Sequence, residues 1–300
     1  MRHRHAFTLL ELFVVIAILA ILLAIFVPYA QSWREASRRV QCADNLRQIR
    51  AALWAYGDQY GKVTSTERWF PRVRYDEASL PEGYRAYTGA DDEDPFAPDS
   101  TVLPNDVTAS LWLLVRTKLI VDTGVFVCPS SSDSRDLLVD AAGRAVDARQ
   151  RGNFRLPENL SYSYAHPFGN APDYRLVDTL PGGFVLMADK SPGSTGGSVL
   201  EVQHDEPVVS RARANTRNHS RAGQNVLFAD GSVQWRTHVF VGVGWTSASP
   251  TGGDNIYTAL SPIPIVSGTP PPANAPGVYR PTVVPAWNHD TLLVPTEDDR

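Results

Sequence analysis

Phe7-Thr8-Leu9-Leu10-Glu11-Leu12-Phe13-Val14-Val15-Ile16-Ala17-Ile18-Leu19-Ala20-Ile21-Leu22-Leu23-Ala24-Ile25-Phe26-Val27-Pro28-Tyr29 decides the architecture, because residues 12–29 are 18 consecutive positions without a formal charge. A run of that length and apolarity suffices to cross a bilayer as a helix. A single acid, Glu11, stands at its start. An acid within a membrane helix costs roughly 2.5–3.5 kcal/mol on insertion scales, so its presence points to function; the bland alternative is a side chain at the headgroup edge. Pro28 removes one helix hydrogen bond, and a bend is expected there. Three secretory readings compete for such a segment: a cleaved signal peptide, an uncleaved anchor, and a leader removed by its own peptidase. The run ends Phe26-Val27-Pro28-Tyr29-Ala30, a poor substrate for signal peptidase, which needs small residues there. Charge counting leaves orientation open, since Arg2 and Arg4 with the amino terminus on one side face Arg34, Arg38 and Arg39 on the other.

Outward to the N-terminus lies Met1-Arg2-His3-Arg4-His5-Ala6, short and basic, directly before Phe7-Thr8-Leu9-Leu10-Glu11. This pattern resembles the leader of type IV prepilins and of the pseudopilins of type II secretion. The resemblance implies that prepilin peptidase cuts between Ala6 and Phe7, with Ala6 in place of the usual glycine, and that the new N-terminal Phe7 is methylated. It further implies that Glu11 neutralises the terminal amine of a neighbouring subunit, and that Pro28 sits where pilin helices bend. It also orients the chain, with the N-terminus in the cytoplasm and the bulk outside, in the periplasm.

On the other side of the run, Trp33, Ala36, Val40, Ala43, Leu46, Ile49, Leu53, Tyr56 and Tyr60 are spaced by three and four, which is helical periodicity. The two stretches read as one helix over residues 7–57, roughly 75 Å long at 1.5 Å per residue. Its half at 7–29 meets lipid or neighbouring subunits, and its amphipathic half at 30–57 should pack on a sheet. An anchored enzyme would more often place a polar linker here. The segment Arg34-Glu35-Ala36-Ser37-Arg38-Arg39-Val40-Gln41-Cys42-Ala43-Asp44-Asn45-Leu46-Arg47-Gln48-Ile49 also resembles a large set of bacterial prepilin-like proteins of unassigned molecular role. So do Val125-Phe126-Val127-Cys128-Pro129-Ser130, Met187-Ala188-Asp189-Lys190-Ser191-Pro192-Gly193, and Asn218-His219 through Asp230-Gly231. Their C-terminal signature is a histidine followed after about nine residues by Asp-Gly. Here ten residues separate His219 from Asp230, and the extra one is expected between residues 220 and 224.

Asp106 stands as a cap before Val107, Leu111, Leu114, Val115 and Leu119, a short amphipathic helix. Residues 125–128, 160–165, 184–188, 225–229 and 232–235 read as strands bounded by Pro, Gly and Asp. Asp230-Gly231 between two of these predicts a tight two-residue hairpin turn, whose positive φ both residue types tolerate. A helix first and hairpin-linked strands later give an α+β fold, a long helix packed on an antiparallel sheet with long loops. The expected organisation is a leader at 1–6, an extracytoplasmic globular domain at 58–248 and a Pro-rich tail at 249–300. That tail holds ten of the 23 prolines and reads as a solvated extension.

Composition narrows the function classes. At 43% hydrophobic, 300 residues can bury a core, and a formal charge of −4 gives no reason to expect nucleic acid as partner. Two cysteines make neither a disulfide scaffold nor a CxxC zinc motif. A Cys42–Cys128 disulfide is expected, because the domain faces an oxidising compartment and the helix should pack near the segment ending at Cys128. The acid run Asp91-Asp92-Glu93-Asp94 offers oxygen ligands for calcium, but without the spacing of a calcium loop it reads first as a solvated loop. No other cofactor is expected. HExxH, GxSxG, Walker A and GxGxxG are all missing, and lone histidines such as His166 and His204 read as surface or core residues. His219, Asp230 and Gly231 remain a signature whose ligand, if any, is open. The expected function is therefore a non-enzymatic structural subunit of a secretion or pilus-like filament, with other pilin-like subunits and lipid as partners. The alternative is a membrane-anchored extracytoplasmic binding module that keeps the leader and never polymerises.

Overall fold

The computed structural model describes residues 9–62, 64, 66–74, 95–96, 102, 104–140, 142–169, 174–193, 202, 206–243, 253–260, 277–278 and 291–294. Ala6, Phe7, His204, the acid run Asp91, Asp92, Glu93 and Asp94, and most of the Pro-rich tail lie outside them.

Helix α1, Leu9–Gln59, is one unbroken helix of 51 residues that continues past Pro28. Every described side chain from residue 9 to 34 is exposed. Packing begins at Glu35, and the buried stripe then follows Cys42, Leu46, Ile49 and Leu53, spaced four, three and four. The expected stripe was drawn partly on the wrong side: Trp33 is 66% exposed, Val40 61% and Tyr60 57%. The reason is local. Polar Glu35 and Asn45 face the domain because partners wait for them there, and their inclusion rotates the stripe away from Trp33 and Val40.

The sheet has five antiparallel strands: β1 (Tyr162–Ala165), β2 (Val185–Asp189), β3 (Gln224–Phe228), β4 (Val233–Arg236) and β7 (Leu293–Val294), in the order β4-β3-β2-β1-β7. Two short strands, β5 (Ala259–Leu260) and β6 (Gly277–Val278), form a separate antiparallel pair. β1, β2 and β3 are buried along their whole length, including the polar Ser163, Gln224 and Asn225. α1 lies against β3 and β4, and the fold is α+β. α2, Val107–Arg116, is capped by Asp106, whose Oδ1 accepts the Ala109 N–H at 2.8 Å. Burial pushes that carboxyl up to about 7, although hydrogen bonds from Ala109, Thr108 and Asn153 work against it.

Two local expectations are corrected. Residues 125–128 form no strand; Thr123–Phe126 is a 3₁₀ turn capped by Asp122, after which the chain is extended into Cys128. The β3–β4 connection is also longer than a two-residue turn. The Gly231 N–H bonds the Phe228 carbonyl and the Phe228 N–H bonds Ser232, with only Gly231 at positive φ, 84°. This is a three-residue loop closed by a glycine bulge. Asp230 does not adopt positive φ; its carboxylate accepts the Ser232 N–H at 2.7 Å and pins the loop. A side chain at residue 231 would collide with Arg50 of α1, so glycine also lets the hairpin approach the helix.

Candidate functional site

Two places on the molecule can act. The first is the projecting half of α1. Residues 9–34 extend roughly 39 Å at 1.5 Å per residue, enough to cross a bilayer core of about 30 Å. This helix is long and apolar enough to cross a membrane, none of its apolar window is buried, and Glu11 lies in its first turn.

The second is a buried polar cluster where α1 meets the sheet. A disulfide joins Cys42 of α1 to Cys128, with Cα atoms 5.3 Å apart. Asn45, one helical turn further, donates to the Val127 carbonyl at 2.9 Å and to the Tyr162 hydroxyl at 3.2 Å. The helix is thus fastened to one short segment by a covalent and a hydrogen bond side by side. His219 reaches the same spot from the turn before β3. Its Nδ1 donates to Glu35 Oε1 at 2.6 Å, and the Ser130 hydroxyl donates to Glu35 Oε2 at 2.7 Å. With Nδ1 carrying that proton, Nε2 faces Cys128 Sγ at 3.4 Å and Asp189 Oδ2 at 3.5 Å.

Asp189 ends β2 and is fully buried. Its Oδ2 accepts the Asn225 N–H at 2.7 Å, whereas its Oδ1 has no hydrogen-bond partner among the described residues. Burial pushes the carboxyl up to about 6, against the pull of the His219 imidazole and the hydrogen bonds from Asn225 and Asn218. At Glu35 partial burial pushes in the same direction, but hydrogen bonds from Ser130 and His219 and the charges of His219 and Arg39 outweigh it and hold that carboxyl below its ordinary range. Trp235 closes the site, edge-on to His219 with centroids 5.3 Å apart, and the Arg39 guanidinium lies 4.3 Å above the same indole.

The backbone that delivers His219 is strained. His219, Ser220 and Arg221 all have left-handed φ, 57°, 54° and 61°. Each such non-glycine residue costs roughly 1–2 kcal/mol, and runs of this kind persist where the surrounding structure overdetermines them, often at functional sites. The extra residue expected between 220 and 224 coincides with this turn.

The structure therefore sorts the signature residues differently from their order in the sequence. His219 stands before β3 and Asp230 after it, at opposite ends of the strand, so the two do not share a site. The carboxylate beside His219 is that of Asp189. Asp230 and Gly231 form the hairpin turn alone. Glu35, Asp189 and Asn225 were not singled out by sequence reasoning. Glu35 did carry a signal, lying seven residues before Cys42 on one helix face, and Asp189 another, as a charge ending an apolar strand. His166 is a buried core histidine whose ring pairs with the Phe168 carbonyl at 2.6 Å.

Residues 1–27 match the family described as "Prokaryotic N-terminal methylation motif". Residues 31–176 match the family described as "Protein of unknown function (DUF1559)". The second match takes in Glu35, Cys42 and Cys128 and ends before Asp189 and His219. No curated protein and no solved structure matches the chain.

Proposed function

This chain is a type IV prepilin-like protein, and from that premise we propose that it works as a pseudopilin: a membrane-held structural subunit of a type II secretion or pilus-like assembly, without catalytic activity of its own. Prepilin peptidase would remove residues 1–6 and leave a methylated Phe7. The N-terminus would lie in the cytoplasm and the domain in the periplasm. The observation that carries this reading is α1 itself. One helix is fastened to its domain from Glu35 onward, while its described side chains from residue 9 to 34 are exposed, an arrangement that would bury their apolar surface in lipid or against other such helices.

Glu11 distinguishes a filament subunit from a mere anchor. In a solitary membrane helix the acid is a liability of roughly 2.5–3.5 kcal/mol. In a bundle it has a partner, the amine of a neighbouring Phe7, and attraction at low dielectric is far stronger than in water. Removing one member of a buried pair costs on the order of 3–5 kcal/mol. Glu11→Leu should therefore insert normally and keep a folded domain, while multimer ladders from cysteines placed in the projecting half are lost. Mass spectrometry of the mature N-terminus should find cleavage between Ala6 and Phe7. Undiminished ladders and secretion in Glu11→Leu would overturn the filament role and leave the non-polymerising binding module.

A further inference from the structure

The cluster at the helix–sheet joint holds more chemistry than a fastening needs. A disulfide can be packed by apolar side chains, yet this one is faced by the His219 imidazole nitrogen and grouped with the fully buried Asp189 carboxylate. We propose that, once the disulfide is opened, Cys42, Cys128, Asp189 and His219 form a buried four-ligand site for a zinc-class divalent cation. The joint between α1 and the sheet would then be closed by a sulfur–sulfur bond under oxidising conditions and by a metal ion under reducing ones. This site is buried within one chain and stands whether or not the chain polymerises.

Geometry is the first support. One ligand atom from each of the four residues lies within 4.8 Å of every other. Zinc bonds of about 2.0–2.3 Å in a tetrahedron place ligand atoms roughly 3.3–3.8 Å apart, and the His219 Nε2 separations of 3.4 Å to sulfur and 3.5 Å to carboxylate fall in that range. Donor chemistry is the second. Two sulfurs, one imidazole and one carboxylate suit a borderline-soft ion with tetrahedral preference, and do not suit calcium or magnesium, which take oxygen.

Support around the ligands is the third. A metal-binding histidine usually gives its other ring N–H to a carboxylate, which fixes the ring and its tautomer. Glu35 does this for His219 at 2.6 Å and is itself held by Ser130. Asn225 holds Asp189 Oδ2, the oxygen that lies 3.5 Å from His219 Nε2, while Oδ1 of the same carboxylate is buried with no hydrogen-bond partner among the described residues. A buried acceptor without a donor is costly, and a cation would satisfy it. The left-handed turn at residues 219–221 sets the imidazole in place before any metal arrives.

The redox step balances with a dithiol of the thioredoxin class. Its two thiols close to a disulfide while two electrons and two protons pass to Cys42 and Cys128. Metal binding then releases both thiol protons to solvent, so that the sulfurs bind as thiolates and His219 binds through Nε2.

Cobalt is the probe of choice, titrated into the full chain in detergent after reduction by a phosphine without oxygen. The reduced protein should take up one equivalent, with tetrahedral d–d bands and thiolate-to-cobalt charge transfer, both bleached by one equivalent of zinc. The oxidised protein should show neither band. His219→Ala should abolish tight binding. Glu35→Gln, at the partly exposed edge of the site where folding is least at risk, should weaken it 10–100-fold. A reduced, folded protein without these bands overturns the proposal, as do bands that Glu35→Gln leaves unchanged in strength and affinity. Because the readout is metal binding by a monomer in detergent, its failure is separable from a failure of multimer crosslinking.

Discussion

Helix α1 is one element in two solvents. Its first half, residues 9–34, is almost wholly apolar and wholly exposed, whereas its second half, from Glu35 to Gln59, is mixed in sequence and buries Cys42, Leu46, Ile49 and Leu53. The more hydrophobic half is thus the one whose described side chains are exposed. Burial in a domain needs a stripe matched to one partner surface, while burial in lipid or a helix bundle needs apolar residues all round. Polar side chains follow the same division. Glu35, Asn45 and Cys42 are used at the joint because Ser130, His219, Val127 and Cys128 meet them there.

The sharpest way to break this comparison is to unfasten the second half. Replacing Cys42 and Cys128 together by serine removes a crosslink that closes a span of 86 residues. In the chain-entropy model this should lower domain stability by about 4–5 kcal/mol, read by denaturant unfolding in detergent without added metal. Truncation then contrasts the two halves directly. Leu46→Ala, in the fully buried stripe, should cost the domain about 2–5 kcal/mol, while Leu22→Ala, in the projecting half, should leave the same unfolding curve in place. A shift in both would mean that the halves fold as one unit.

Two smaller effects probe the domain that the second half fastens. His166 is fully buried, and burial holds it down to about 4, partly offset by its hydrogen bond to Phe168. Since its folded value lies below the unfolded value of 6.5, its burial costs nothing above about pH 6.5 and costs progressively more as the pH falls from there to about 4. A shift of this size corresponds to about 3 kcal/mol. His166→Asn, which can keep a donor toward Phe168, should therefore flatten the acid limb of the stability profile over that window. Last, Ser220→Gly should relieve part of the left-handed strain beside His219 and raise stability by about 0.5–1 kcal/mol, seen as a small rise in Tm.

The sequence alone was enough for the apolar run, the leader pattern, the continuous helix, Asp106 as a cap and four of the five strands in the main sheet, because each is a local pattern of periodicity, charge or turn residues. β7, two residues long in a Pro-rich tail, carries no such pattern and exists only because β1 offers it an edge. The buried stripe of α1 was misjudged for the same reason, since its rotation is set by Ser130, His219 and Val127, far off along the chain. The candidate site shows the limit most clearly. The motif names His219 and Asp230 as one signature, but five residues of extended strand carry them apart, and antiparallel pairing of β2 with β3 brings Asp189 to the histidine instead. Which charge stands beside an imidazole is decided by strand register and by the helix laid across it, and neither is written in the spacing of one segment.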